Sequence, residues 1–102
     1  AITLRMIPVE GVFQKIERVV RETAQQLGKT VRVERRGDEV SLDKLVIEGM
    51  FEPLIHIARN AVDHGIEAPE ARRAAGKDPV GWIHISAENT ASGVTITFAD
   101  DG

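Results

Sequence analysis

The stretch "LIHIARNAVDHG", residues 54–65, decides how this chain is read. At about 100° per residue it sorts into two helical faces. Leu54, Ile55, Ile57, Ala58, Ala61 and Val62 fill one arc, and His56, Arg59, Asn60, Asp63 and His64 fill the other. The apolar arc asks for a layer to pack against, and a polar arc is ordinarily left to solvent. This polar arc holds no Lys or Glu, the usual solvent-facing helix residues. It carries instead groups that coordinate, donate and titrate near neutral pH. The sequence therefore predicts a binding face.

Upstream, Pro53 falls within the first turn of a helix starting near Met50, where N–H groups lack intrahelical partners. Asp43 is expected to cap a separate short helix through Glu48 that Gly49 breaks. Downstream, Gly65 followed by Ile66 reads as a Schellman stop. The "APEARRAAG" stretch at 68–76 repeats the pattern in miniature, with Pro early, Glu next and Gly last.

Further out, "ITLRMI" (2–7) suits a short strand, and Pro8 and Glu10 suit a first helical turn. Val12, Phe13, Ile16, Val19, Val20, Ala24 and Leu27 then form an amphipathic stripe, ended by Gly28. "TVRVERRG" (30–37) alternates as a strand turning at Gly37-Asp38, and "EVS" (39–41) is expected to pair with it. "WIHISA" (82–87) and "VTITFA" (94–99) are two more strands, joined by the turn-rich "ENTASG". Their alternation buries one sheet face and wets the other, so the helices share one side. The expected fold is a two-layer α/β sandwich, with helices on one face of a mixed, mainly antiparallel sheet. Residues 1–102 form one domain without repeat, linker or low-complexity segment.

Composition narrows the function classes. The chain of 102 residues has 42% hydrophobic and 28% charged residues, as an ordinary globular domain does. A net charge of −3 sets up no field for nucleic acid or an anionic membrane. There is no cysteine, which excludes disulfides and thiolate metal sites. No signal-peptide pattern and no apolar run near the ~20 residues of a membrane span is present. A cytoplasmic location is expected.

Several chemistries fail on the polar arc. His56 and His64 lie two turns apart, roughly 12 Å along the axis, too far to share one zinc ion. No HExxH pattern, GxSxG elbow or G-x-x-x-x-G-K-[ST] phosphate loop occurs. A magnesium–phosphate site fits better, because magnesium takes few protein oxygens and keeps waters and nucleotide phosphates. The amide oxygen of Asn60 suits a single ligand, and Arg59 and His64 suit phosphate oxygens. His56 lies one turn before Asn60 on the same face. Asp100, at a strand end, suits an adenine amino group, and Gly102 would let backbone approach the ligand closely.

These residues carry a family resemblance. "DKLVIEGMFEPLIHIARNAVDHGIE", "AAGKDPVGWIHISA" and the closing "ADDG" together resemble the ATP-binding domain of chemotaxis histidine kinases of the CheA family. That domain is grouped with the gyrase, Hsp90, histidine-kinase and MutL ATPases. The resemblance covers nearly the whole chain, including "LRMIPVEGVFQKIERVVRETAQQLGK". It implies that ATP and Mg2+ are bound, with Asn60 as the magnesium-coordinating asparagine. His56 matches the position of a general base or of a group orienting the γ-phosphate. Arg59, Asp63 and His64 match the remaining polar positions on the phosphate side. Asp100 matches the aspartate that binds the adenine amino group, Asp101 a variable position, and Gly102 the first glycine of the same box.

The resemblance also implies phosphoryl transfer to a histidine on a separate phosphotransfer domain, then to a response-regulator aspartate, with a receptor array as further partner. The pattern stops inside the glycine box, without the second glycine, the lid or the later Gly-rich box. The expectation is thus the N-terminal part of such a domain, inactive by itself, with an open sheet edge that invites oligomerisation. Two alternatives stand beside it: a non-catalytic interaction or oligomerisation module of the same fold, and another ATPase of the wider group. Arg35, Arg36, Arg72 and Arg73 offer phosphate or partner contacts but are expected to be solvated charge, Trp82 to pack at a core or edge, and Glu48 and Glu52 to lie at the surface. His84 is given no role.

Overall fold

The computed structural model describes residues 5–102. Its elements are β1 (Met6–Pro8), α1 (Glu10–Gln26), β2 (Val31–Arg36), β3 (Ser41–Asp43), α2 (Lys44–Asn60), a π-helical turn (Ala61–Gly65), α3 (Pro69–Ala74), β4 (Gly81–Thr90) and β5 (Gly93–Asp100). The expected strand at 2–7 lies partly outside the described residues, and its remainder is β1.

The main sheet has the order β2-β4-β5, with β2 parallel to β4 and β4 antiparallel to β5. The parallel pair needs a crossover, and residues 37–80, which include α2 and α3, supply it. Register fixes the faces. Ile83, Ile85 and Ala87 are buried and sit opposite Asp100, Phe98 and Ile96, while His84 and Ser86 turn to the half-exposed side. The expected two-layer α/β sandwich is therefore the fold. Strands β4 and β5 run further than the alternation predicts, so that only Ala91 and Ser92 separate them. Thr90 Oγ1 closes this turn by donating to the Gly93 carbonyl at 2.9 Å.

Helix α1 follows its stripe closely. Val12, Phe13, Ile16, Val20 and Ala24 are buried, and each large side chain contributes roughly 1.5–3 kcal/mol by leaving water. Val19 is only half-buried and Leu27 is 44% exposed. Gly28 adopts φ 66°, the left-handed conformation expected after the last turn. At the start, Pro8 closes β1 and is not in the first helical turn. The early N–H groups instead find loop carbonyls: Val9 N–H donates to Val40 and Glu10 N–H to Asp38, at 2.9 and 3.1 Å.

Three local expectations are corrected. Strand β3 pairs with β1 and not with β2. A partner distant in sequence cannot be read from local alternation. Helix α2 is continuous from Lys44 to Asn60, where a break at Gly49 and a new start near Met50 were expected. Asp43 does cap it, accepting from Leu45 N–H at 3.0 Å. A glycine costs only about 1 kcal/mol in a helix, and the buried residues Ile47, Ile55 and Ala58 span both sides of it. Pro53 thus lies inside the helix. Its absent N–H and its ring fall at the carbonyl of residue 49, four back. Finally, Gly65 has no positive φ, so no left-handed Schellman residue ends the helix. A wide turn ends it, with Ile66 N–H donating to the Ala61 carbonyl at 2.8 Å.

Candidate functional site

The polar arc occupies the last turns of α2 and the π-turn. The expected clean division into two faces holds for His56, Arg59, Asn60, Asp63 and His64, all exposed, and for Ile55, Ala58, Ala61 and Val62, all buried. It fails for Ile57, which is 45% exposed. Asn60 Nδ2 lies 3.2 Å from His56 Nε2. With the imidazole proton on Nδ1, the amide donates to His56 and its oxygen is turned away from the ring. His64 Nε2 stands 3.4 Å from Asp63 Oδ2.

Arg59, Asn60 and Asp63 face a groove of about 330 Å³, whose opposite wall is the C-terminal half of α1 with Glu22, Thr23 and Gln26. His56 reaches this set through Asn60. Sequence reasoning missed the residue that holds the turn in shape. Lys29, just past Gly28, donates through Nζ to the carbonyls of Val62 and Asp63, at 2.7 Å each. A helix end leaves its last carbonyls without intrahelical donors, and an ammonium there also suits the helix dipole. A lone lysine after a helix-ending glycine gives no sequence signal of this role.

Asp100 arrives from the sheet. It pairs in register with Ile83, whose side chain is fully buried against the helices, so Asp100 points to the helix side at the end of β5. There its carboxylate meets the π-turn. A Cβ built on Gly65 would stand 3.2 Å from Asp100 Oδ2, and a Cβ on Gly102 would collide with the Gly65 carbonyl. Gly102 N–H donates to Asp100 Oδ1 at 2.9 Å. Gly102 was expected to let backbone approach a ligand; the close approach it makes here is to the helix end at Gly65. Asp100 and Gly102 do not line the α1–α2 groove; they border the same π-turn from the sheet side.

A second correction concerns the arginines. Arg72 was expected to be solvated but is only 1% exposed. Its Nη2 donates to Asp101 Oδ2 at 2.9 Å, its Nη1 to Glu67 Oε1 at 3.1 Å, and its Nε to the Asp78 carbonyl. Lys77 joins by donating to Glu67 Oε2 at 2.7 Å. That bond and then Glu67's own backbone N–H hold the Glu67 carboxyl below its usual range against desolvation, with lesser help from the charges of Lys77 and Arg72. The signal for Arg72 was compositional. "PEARRA" has no large apolar residue, so the face of α3 turned to the protein had only Ala or Arg to offer. Arg35 also departs from expectation: it is half-buried and paired with Glu17 and Asp38 at 3.5 and 3.3 Å. Arg36, Arg73, Glu48 and Glu52 are exposed as expected, and Trp82 is half-buried on β4.

Among the described residues no three His, Asp or Glu side chains gather as a metal cage, and no helix is long and apolar enough to cross a membrane.

The sequence that builds this site has counterparts among known proteins. Chemotaxis protein CheA of Rhizobium meliloti is 48% identical over 99 residues, which are 97% of this chain and 13% of that protein. The chain matches one segment of CheA. Chemotaxis protein CheA of Salmonella typhimurium is 45% identical over 100 residues, 98% of this chain and 15% of its own length. Sensor histidine kinase CheAY of Helicobacter pylori is 44% identical over 98 residues, 96% of this chain and 12% of its own length. The CheA-like chain therefore spans between 12 and 15% of these three relatives. No protein-family model matches the chain.

Proposed function

We propose that this chain forms the Mg-ATP-binding part of a CheA-type chemotaxis histidine kinase, serving phosphoryl transfer to a histidine on another domain and onward to a response regulator. The observation that carries the reading is the meeting of Asp100 with the π-turn that directly follows Asn60. Similarity to CheA segments supports it.

The donor set suits magnesium. One amide oxygen at Asn60, with Asp63 in the same groove and no multidentate cage among the described residues, fits an ion that keeps its waters and phosphate ligands. Bound magnesium would neutralise phosphate charge. The protein's own residues do the positioning: Arg59 and His64 offer donors to phosphate oxygens, and His56, accepting from the Asn60 amide at Nε2, turns the amide oxygen outward. Asp100 accepts from the adenine amino group. In phosphoryl transfer such positioning and charge stabilisation supply most of the catalysis.

The test is Asn60→Ala in a full-length protein carrying these residues. Loss of autophosphorylation with the fold intact supports the kinase reading. Unchanged autophosphorylation overturns it and favours a non-catalytic interaction module, for which the exposed Leu45 and Val46 on α2 offer a surface.

A further inference from the structure

Resting on the reading of Asp100 as the adenine-binding acid, we propose that buried Arg72 is a positioning residue that sets base selectivity by holding Asp101, and through it Asp100, at the sheet end. Asp101 is hydrogen-bonded at both carboxylate oxygens and at its N–H. Oδ1 accepts from Trp82 N–H at 2.8 Å, Oδ2 accepts from Arg72, and the Asp101 N–H donates to the Trp82 carbonyl at 3.3 Å. The Asp101 carbonyl lies 3.5 Å from both Arg72 Nη1 and Lys77 Nζ. A guanidinium fork gives fixed directions that an ammonium does not.

The fork is itself locked. At 1% exposure Arg72 has no solvent to turn into, and its Nη1 and Nε also donate to Glu67 and the Asp78 carbonyl. Only Arg72 is buried in this cluster, its acidic partners reaching solvent at 24% and 34% exposure, so the guanidinium is held in place from the protein side. Asp100 is the next residue along the chain, with one oxygen tied to Gly102 N–H and the carboxylate against Gly65. A shift of Asp101 therefore becomes a shift of the Asp100 acceptor. The variable residue of the box acts as its anchor.

The experiment compares ADP with the ADP analogue carrying hydrogen in place of the 6-amino group, by calorimetry on a full-length protein carrying these residues. The wild type is expected to prefer ADP by about tenfold or more, a step of about 1.4 kcal/mol per decade. Asp101→Asn keeps the acceptor for Trp82 but loses the charge facing Arg72, and Arg72→Lys keeps the charge but loses the fork. In both, the preference should fall below about threefold while affinity for the analogue holds within about twofold. A purely structural role would weaken both ligands alike. An unchanged ratio in either folded variant overturns the proposal. Asp100→Asn is the control: if it also leaves the ratio unchanged, the adenine reading itself falls. If it abolishes the preference while the other two do not, only the positioning role falls.

Discussion

The carboxylate of Asp100 and the backbone of Gly65 occupy space that a single added methyl would contest, since a Cβ at 65 would lie 3.2 Å from Oδ2 and 3.4 Å from Oδ1. Sheet and helix thus meet through a glycine placed for close approach. Gly65 has no positive φ, so the requirement is spatial and not conformational.

Gly65→Ala should therefore fold normally yet push the Asp100 carboxylate aside by a few tenths of an ångström. Misplaced reacting and binding groups cost affinity steeply, and about a tenfold loss of Mg-ADP affinity is expected. Calorimetry with parallel circular dichroism measures both. Unchanged affinity in the folded variant contradicts the role of this contact.

Lys29→Met removes the only side-chain donor to the carbonyls of Val62 and Asp63 among the described residues. Charge-assisted hydrogen bonds contribute more than neutral ones, so a loss of about 1–3 kcal/mol is expected in urea unfolding. The Ile66 amide, which closes the π-turn, should exchange faster with solvent. Stability unchanged to within about 0.5 kcal/mol would show that the turn holds itself.

Glu67 gives a dependence on pH. Its carboxyl is held below the ordinary value of 4.5, first by the hydrogen bond from Lys77. The folded protein therefore binds that proton less readily than the unfolded chain does. Its contribution to stability is present above 4.5 and is lost as pH falls through the lowered folded value. In Glu67→Gln this part of the acid dependence should vanish, and wild type and variant should converge in acid. Thermal melts across the acid range test this; a difference that stays constant with pH contradicts it.

Much of this was legible because it is local. The 3.6-residue stripe of α1, the Asp43 cap, the alternation of β4 and β5 and the polar arc after Pro53 are all set by neighbouring residues. Gly49 misled because its weak intrinsic penalty was outweighed by a cap on one side and buried side chains on both. The partner of β3, the donors from Lys29 and the burial of Arg72 arise from contacts at long sequence separation. A guanidinium looks solvated until its acids are known. Placing Asp100 on the helix side needed only the strand alternation, but the fit against Gly65 needed the fold.

The central claim is that the amide of Asn60 and the acid of Asp100 address one nucleotide from the two layers. Calorimetry of ADP with and without Mg2+, on a full-length protein carrying Asn60→Ala or Asp100→Asn, tests it most directly. Both variants should weaken Mg-ADP binding by about tenfold or more, and in the absence of Mg2+ only Asp100→Asn should still do so. Wild-type Mg-ADP affinity in either folded variant would contradict the account.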